Sequence, residues 1–363
     1  MPEPGPFDLA VVLPLSHDHG FAEACLAAWD AQSHPRSRIQ VVAIVEADEA
    51  AGAAARLRPL LRPWDLWLPV ADDNDAVLYD RGARAAEAPV LLFSEAHCVA
   101  LPGAAAAAVK ALAGGAAEAF SLRSGYLPTT AFGRRQIELE TSWYRSLGEG
   151  HWRSVSLRGL AVRRDRFVEL GGFRAEHEHF CEMALGAALH RGGHRIVYSD
   201  EVLVLHGNAP TTAELGQALR SCARGQWRWR EEMERQAPGL ASELFGPLTR
   251  SGRIAGMLAR RGWADGWRGA VLNDILNVIV RRLSALRLAS AGLACEALVG
   301  AGPLGRWAYR AYWRAGFDHG ILEAATAAPY SPRTPQARPS TQEYAAGELE
   351  AAGTVASGAG SMP

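Results

Sequence analysis

Two side chains that could hold a cation stand directly after the most strand-like segment of the chain. This segment is the apolar run of residues 89–93, and Glu95 and His97 follow it closely. A carboxylate and an imidazole together suit Mn²⁺-like ions, whereas Mg²⁺ prefers oxygen ligands. The alternative interpretation is that both side chains are solvated loop residues, and either residue taken alone favours it.

The first third of the chain has the alternating pattern of an α/β protein. Apolar runs that are typical of strands buried on both faces occupy residues 9–15, 39–45 and 89–93. Helical spacing between the runs predicts βαβ units, and hence a parallel sheet with right-handed crossovers. Open parallel sheets bind ligands outside the carboxyl ends of their strands. Because Pro14, Glu46 and Glu95 stand at such ends, we expect a cleft there.

Beyond the first third, the pattern changes to a mixture of strands and helices. Residues 195–198 and 202–206 are predicted as separate strands, the second of which ends at His206. Residues 212–236 are predicted as a charged helix that carries tryptophans. The tail from about residue 326 is rich in proline and small residues and lacks the apolar content to fold.

The composition excludes several classes of protein. Lys and Arg number 38 against 39 for Asp and Glu, so the net charge of −1 gives no attraction to nucleic acid. Five widely spaced cysteines without a Cys-x-x-Cys motif argue against a disulfide framework or a zinc knuckle and indicate a reducing compartment. The first residues lack an export-signal pattern, and no stretch approaches about 20 apolar residues. We therefore predict a cytoplasmic protein.

The order of these motifs resembles the inverting glycosyltransferases of family two, which have the GT-A nucleotide-sugar fold. The resemblance covers about residues 8–235 and rests on order and spacing: Pro14, the acidic end at Glu46, Asp80-x-Gly82, the triplet 95–97, Gly171-Gly172-Phe173, Glu182-x-x-Leu185 and His206. It implies an α/β fold, namely a GT-A Rossmann-like mixed sheet flanked by helices. The catalytic domain, a helical C-terminal extension and a disordered tail would occupy residues 1–240, 241–325 and 326–363.

The resemblance implies a metal site and a donor site. The family holds a divalent metal, Mn²⁺ or Mg²⁺, at a strand end, where the metal neutralises charge that develops on the leaving diphosphate. The matching residues are Glu95 and His97, and His206 takes the place of a further family ligand. Residues implied to contact the nucleotide diphosphate sugar are Pro14, Leu15, Ser16, Glu46, Asp80 and Arg84. Solvated surface groups are the alternative interpretation for the charged members of this set.

Glu182 matches the carboxylate that acts as the base in the family. Inversion needs a base on the face opposite the leaving group, to take the proton of the acceptor hydroxyl. The family's Glu-Asp pair is replaced here by Cys181 and Glu182, so Glu176 and Glu178 compete for the role. A carboxylate that favours a helix N-terminus is the alternative interpretation for Glu182.

The resemblance therefore predicts a metal-dependent, inverting, hexosyltransferase-like glycosyltransferase. It would move a single sugar from a nucleotide diphosphate sugar to a hydroxyl acceptor. The alternative is a degenerate, non-catalytic GT-A-fold binding or scaffold subunit, which the substitutions at Glu46, Glu95, His97 and Cys181 would also fit. A nucleotidyltransferase is disfavoured because no glycine-rich phosphate loop with basic residues follows the first strand.

Residues 269–288 have an apolar stripe at helical period, flanked by Arg282 and Arg287. A basic-edged amphipathic helix of this kind can lie on an anionic membrane. Peripheral contact at the inner face of the membrane would place the enzyme beside a lipid-linked glycan acceptor. The alternative is that the stripe packs against the catalytic domain or against a second subunit in a homodimer.

Overall fold

The computed structural model describes residues 6–246, 254, 266–298, 300 and 302–326, apart from 17, 116, 128–129 and 148–150. Eight strands lie in this part of the chain: β1 (Leu9–Pro14), β2 (Ile39–Glu46), β3 (Leu66–Val70), β4 (Val90–Phe93), β5 (Cys98–Ala100), β6 (Ala119–Tyr126), β7 (Leu160–Arg163) and β8 (Ile196–His206). They form one sheet in the order β3-β2-β1-β4-β7-β6-β8-β5. Strand β7 is antiparallel to β4 and β6, and β5 is antiparallel to β8, whereas the other neighbours are parallel.

Helices cover both faces of this sheet. The helices of the described residues are α1 (Ala22–Asp30), α2 (Ala50–Leu57), α3 (Asp75–Ala85), α4 (Ala104–Leu112), α5 (Ala131–Leu147), α6 (Arg164–Glu169), α7 (Cys181–Arg191), α8 (Thr212–Gln236), α9 (Leu240–Phe245), α10 (Gly266–Leu298) and α11 (Gly302–Thr326). Alternate residues of β1 enter two different apolar clusters: Ala10 and Val12 face one, and Val11 and Leu13 face the other. The expected mixed α/β sheet flanked by helices is therefore confirmed.

Strand β8 is one continuous element where two separate strands were predicted. Its register against β6 shifts between the pairs Ser121–Tyr198 and Arg123–Val202. Polar residues at this irregularity are held by local bonds: the Ser199 hydroxyl donates to the carbonyl of Glu201 at 2.8 Å. The interruption of the apolar pattern thus marks a bulge inside one strand rather than a turn.

Helices α10 and α11 run antiparallel and pack on α8. Ser284 Oγ lies 3.1 Å from His319 Nδ1, and Arg287 Nη1 lies 3.0 Å from Asp318 Oδ2. The hydroxyl of Tyr312 donates to the carbonyl of Thr212 at the start of α8. None of the helices in the described ranges is both long and apolar enough to span a bilayer.

The boundaries assigned to the three parts of the chain remain predictions. Residues 327–363, which make up nearly all of the predicted tail, lie outside the described residues, and Thr326 ends α11. The predicted end of the catalytic domain, residue 240, is the first residue of α9.

Candidate functional site

Strand pairing brings the three predicted metal ligands together. Strand β4 ends at Phe93 and leads through Glu95 and His97 into β5, whose Cys98 pairs with His206 at the end of β8. Glu95 Oε2 lies 3.2 Å from His97 Nε2 and 3.2 Å from His206 Nε2. One ligand atom from each residue lies within 4.8 Å of the others. We call Glu95, His97 and His206 the cation triad.

The electrostatics of the cation triad favour metal binding. Burial opposes a charge on Glu95, but His97 and His206 hold the pKa of its carboxyl well below the ordinary value. Burial, reinforced by the charge of Arg158, lowers the pKa of His206 to about 4, although Glu95 acts in the opposite direction. At neutral pH the triad therefore offers a charged carboxylate and an unprotonated His206 imidazole, the forms that metals require.

A third histidine, His19, lies beside the cation triad and was not predicted. Its ring stacks on that of His97, with centroids 4.6 Å apart and an angle of 16° between the planes. His19 Nε2 lies 3.3 Å from Glu214 Oε2 of α8. The backbone of His19 has a φ of 49° in the turn after β1. The only sequence signal for it was its position just beyond the carboxyl end of a strand.

Glu182, the predicted base, lies in the first turn of α7. Its Oε2 accepts a hydrogen bond from the backbone amide of Leu157. Burial raises the pKa of Glu182 to about 8; the Leu157 amide opposes this rise, and the charges of Glu95 and Glu140 add to it. A half-buried carboxyl with a pKa in this range is typical of general acids and bases.

The competing carboxylates, Glu176 and Glu178, are both held by arginines. Arg174 donates to Glu176, and Arg224 Nη2 lies 2.6 Å from Glu178 Oε2. Both carboxylates are therefore engaged by arginine side chains, which leaves them less accessible to a substrate hydroxyl than Glu182. Cys181 is buried, and burial raises the pKa of its thiol well above the ordinary value, as expected for a packed side chain.

A half-buried ion pair between Glu140 and Arg158 acts on both the triad and Glu182. Arg158 Nη1 donates to Glu140 Oε2 at 2.6 Å. Burial opposes the charge of Arg158, but Glu140 holds the pKa of the guanidinium well above its usual value. Arg158 also lowers the pKa of His206 and of Glu182. No motif pointed to this pair, because α5 and the loop before β7 meet only in the folded chain.

Four of the predicted donor residues lie at or just beyond the carboxyl ends of β1 and β2. Pro14 ends β1, and the Leu15 amide donates to the carbonyl of Ile44 at 2.8 Å, which fixes the start of the following turn that contains Ser16. Glu46 is the last residue of β2. Both the cleft at this edge and the contacts of these residues with a nucleotide remain predictions.

Asp80 and Arg84 are engaged with each other on α3. Arg84 Nε donates to Asp80 Oδ2 at 2.6 Å, and the amide of Phe173 donates to Asp80 Oδ1 at 3.2 Å. Asp80 therefore joins α3 to the glycine turn before α7. Gly82, in the same motif, allows α3 to pack closely, because a Cβ atom would lie 2.6 Å from Ile44 and 2.7 Å from Val12.

The fold is that of GT-A-type nucleotide-sugar glycosyltransferases, as predicted. The chain is similar to the mannosyltransferase PcManGT from Pyrobaculum calidifontis, solved in complex with GDP-Man and Mn²⁺. The identity is 15% and the TM-score 0.55, over 90% of this chain and 89% of that one.

Two further solved structures match with lower TM-scores. One is S. aureus TarS 1–349, with 12% identity and a TM-score of 0.43 over 87% of this chain and 90% of that one. The other is glucosyl-3-phosphoglycerate synthase from Mycobacterium tuberculosis in complex with phosphoglyceric acid, with 15% identity and a TM-score of 0.42 over 68% of this chain and 82% of that one. No protein-family model and no curated protein matches the chain.

Proposed function

We propose that the chain is an inverting glycosyltransferase that moves one sugar from a nucleotide diphosphate sugar to a hydroxyl acceptor and depends on a divalent metal. The observation that carries this proposal is the convergence of one carboxylate and two imidazoles, with ligand atoms within 4.8 Å, at the carboxyl end of a central strand. The fold supports it, because the cleft of an open α/β sheet lies at this edge.

The residues of the cation triad fit Mn²⁺ better than Mg²⁺. They offer imidazole nitrogens as well as a carboxylate, and the site is pre-assembled with both histidine Nε2 atoms 3.2 Å from Glu95 Oε2. When bound, the metal would neutralise negative charge on the diphosphate as the sugar departs. The presence of Mn²⁺ in the complex of the related mannosyltransferase supports this choice.

Glu182 would take the proton from the acceptor hydroxyl. The Leu157 amide orients the carboxyl through Oε2, and we assign Oε1 to the acceptor. Since burial raises the pKa of Glu182 to about 8, the basic form increases as the pH rises through this value. A base whose pKa lies near the working pH combines a substantial basic fraction with a strong affinity for the proton.

The donor would lie along the turn after β1. Pro14, Leu15 and Ser16 would border the base and ribose, with Glu46 accepting hydrogen bonds from them. Asp80 and Arg84 would contact the diphosphate or the sugar, which requires their mutual ion pair to rearrange.

A transfer assay tests the proposed function. The chain is incubated with UDP- and GDP-sugars, with and without Mn²⁺, so that water takes the place of the acceptor hydroxyl, and the nucleotide diphosphate released by donor hydrolysis is measured for the wild type, Glu95→Gln and Glu182→Gln. We expect metal-dependent release that both variants lose and that Glu169→Gln, an exposed surface control, retains. Metal-dependent nucleotide binding without turnover of any donor would instead favour the non-catalytic binding or scaffold subunit.

Helix α10 presents a strongly apolar exposed surface. Ile275, Val278, Ile279, Leu283, Leu286 and Leu293 are between 47% and 70% exposed. On α11, Leu304 and Trp307 are exposed as well. Exposed arginines accompany them: Arg281, Arg282, Arg306 and Arg310. Apolar side chains with cationic neighbours complement the surface of a membrane that contains anionic lipids.

We infer that α10 attaches the protein peripherally to an anionic membrane, where a lipid-linked glycan would serve as acceptor. Sedimentation with phosphatidylglycerol vesicles should capture the full chain, and phosphatidylcholine vesicles should capture much less. Leu283→Glu combined with Leu286→Glu should abolish capture. If the chain binds neither kind of vesicle but forms a dimer, and the double variant is monomeric, the membrane contact is refuted and a second copy of the chain is the partner.

A further inference from the structure

The segment Ala175–Phe180, which leads into α7 and is called the loop below, is held by contacts on two sides. On one side lies the start of α3: Asn74 Nδ2 donates to the carbonyl of Ala175 at 2.9 Å, and Asp75 Oδ2 lies 3.1 Å from His179 Nδ1. On the other side lies α8, which binds the side chain of Glu178. The loop ends at Phe180, immediately before the turn of α7 that carries Glu182.

Three side chains of α8 hold the carboxylate of Glu178. Arg224 Nη2 donates to Oε2 at 2.6 Å, and Arg228 Nη1 donates to Oε1 at 2.8 Å. The hydroxyl of Ser221 donates to Oε2 at 2.9 Å. Both carboxylate oxygens are therefore engaged with the same helix, in charge-assisted bonds that are stronger than neutral ones.

The backbone of Glu178 adopts a conformation that favours glycine. Its φ is 45° and its ψ is −138°, outside the regions that residues with a Cβ atom readily occupy. Such a conformation persists where the surroundings determine it, and it is frequent at functional sites. At Glu178 the determining contacts are those with α8.

The backbone of the loop also lies directly against α8. A Cβ atom on Gly225 would come within 1.8 Å of the carbonyl oxygen of His177, so only glycine permits this approach. Arg224, next to Gly225, additionally donates to Glu323 of α11 at 3.1 Å. The same arginine thus joins the loop, α8 and the C-terminal helices.

We propose that Glu178 is a positioning residue: its attachment to Arg224 and Arg228 fixes the loop and the start of α7, and thereby places the carboxyl of Glu182 in the site. This inference rests on the proposed function, because Glu182 matters only if it is the base. The cation triad stands on β8 and on the segment between β4 and β5, and Pro14, Leu15 and Ser16 follow β1, so we expect a loosened loop to leave the metal ligands and these donor residues in place.

Two variants of Glu178 test the proposal on the full chain. Glu178→Gln removes the charge that binds the arginines, and Glu178→Gly also relieves the backbone conformation while removing the anchor. For both we expect kcat to fall by about 100-fold, the loss that a displacement of about 1 Å in a catalytic group can cause. The KM for the donor and the affinity for Mn²⁺ should change by less than about two-fold.

The pH profile separates positioning from a purely structural role. A loosened α7 admits water to Glu182, which lowers its pKa, so the acid limb of kcat should move to lower pH in both variants. Glu169→Gln, which breaks an exposed pair with Arg166, is the control and should leave kcat and the limb unchanged. A lower melting temperature with unchanged kcat and pH limb in the folded variants would overturn the proposal.

A failure of the proposed function has a different signature. If Glu182→Gln retains transfer, Glu182 is not the base and the premise falls. If Glu182→Gln is inactive while both Glu178 variants keep the wild-type kcat, only the positioning role is wrong.

Discussion

Replacing Glu182 by glutamine should stabilise the protein at alkaline pH and change its stability at pH 5 by less than about 1 kcal/mol. Burial raises the pKa of this carboxyl to about 8 from an ordinary value of 4.5. Between these values the folded chain holds a proton that the unfolded chain releases, so the free energy of unfolding falls as the pH rises. Above pH 8 the loss reaches its maximum, about 5 kcal/mol at 1.36 kcal/mol per pH unit.

Glutamine is a close match for the protonated carboxyl. It is uncharged at every pH, and its amide oxygen can accept the same hydrogen bond from the Leu157 amide. Urea unfolding of the wild type and of Glu182→Gln, followed at pH 5 and pH 9, gives the difference directly, because the other titrating groups are common to both chains. Glu169→Gln, an exposed control, should follow the wild type at both pH values. A difference between wild type and Glu182→Gln that is the same at pH 5 and pH 9 would refute the argument.

Two other perturbations have definite outcomes. Under saturating donor and Mn²⁺, kcat should rise about tenfold between pH 7 and pH 9, because the basic fraction of a group with a pKa of about 8 increases by that factor; a flat profile would contradict the role of Glu182. Gly225→Ala should cost about 3 kcal/mol in thermal unfolding, since its Cβ would meet the His177 carbonyl at 1.8 Å. Gly52→Ala, in an open helical position, should instead stabilise by about 1 kcal/mol.

The local pattern of the chain predicted most of the elements near the site. The helix over residues 212–236 coincides with α8 (Thr212–Gln236) because the stripe of buried residues has helical period and Thr211 caps its start. The apolar runs that were predicted as strands buried on both faces form β1, β2 and β4, because an apolar cluster lies on each face of the sheet. The position of Glu95 followed from the rule that ligands gather at carboxyl ends of strands.

Features that depend on tertiary contacts could not be predicted in the same way. Arg158 and Glu140 are 18 positions apart and meet through a salt bridge between two elements, so no periodicity marks them. His19 stacks on His97 because the turn that carries it has a positive φ. The sequence does not predict this backbone conformation, because histidine rarely adopts it. The sequence made Glu178 a candidate base. Its bonds to Arg224 and Arg228 of α8 could not be predicted from the sequence, because they form only in the folded chain.

Pulsed electron paramagnetic resonance of bound Mn²⁺ tests whether Glu95, His97 and His206 form a cation site. We expect nitrogen couplings from two imidazoles in the wild type, the loss of one in His206→Gln, and weak binding in Glu95→Gln. Mn²⁺ that binds with no nitrogen coupling, or with equal affinity in all three proteins, would contradict this expectation.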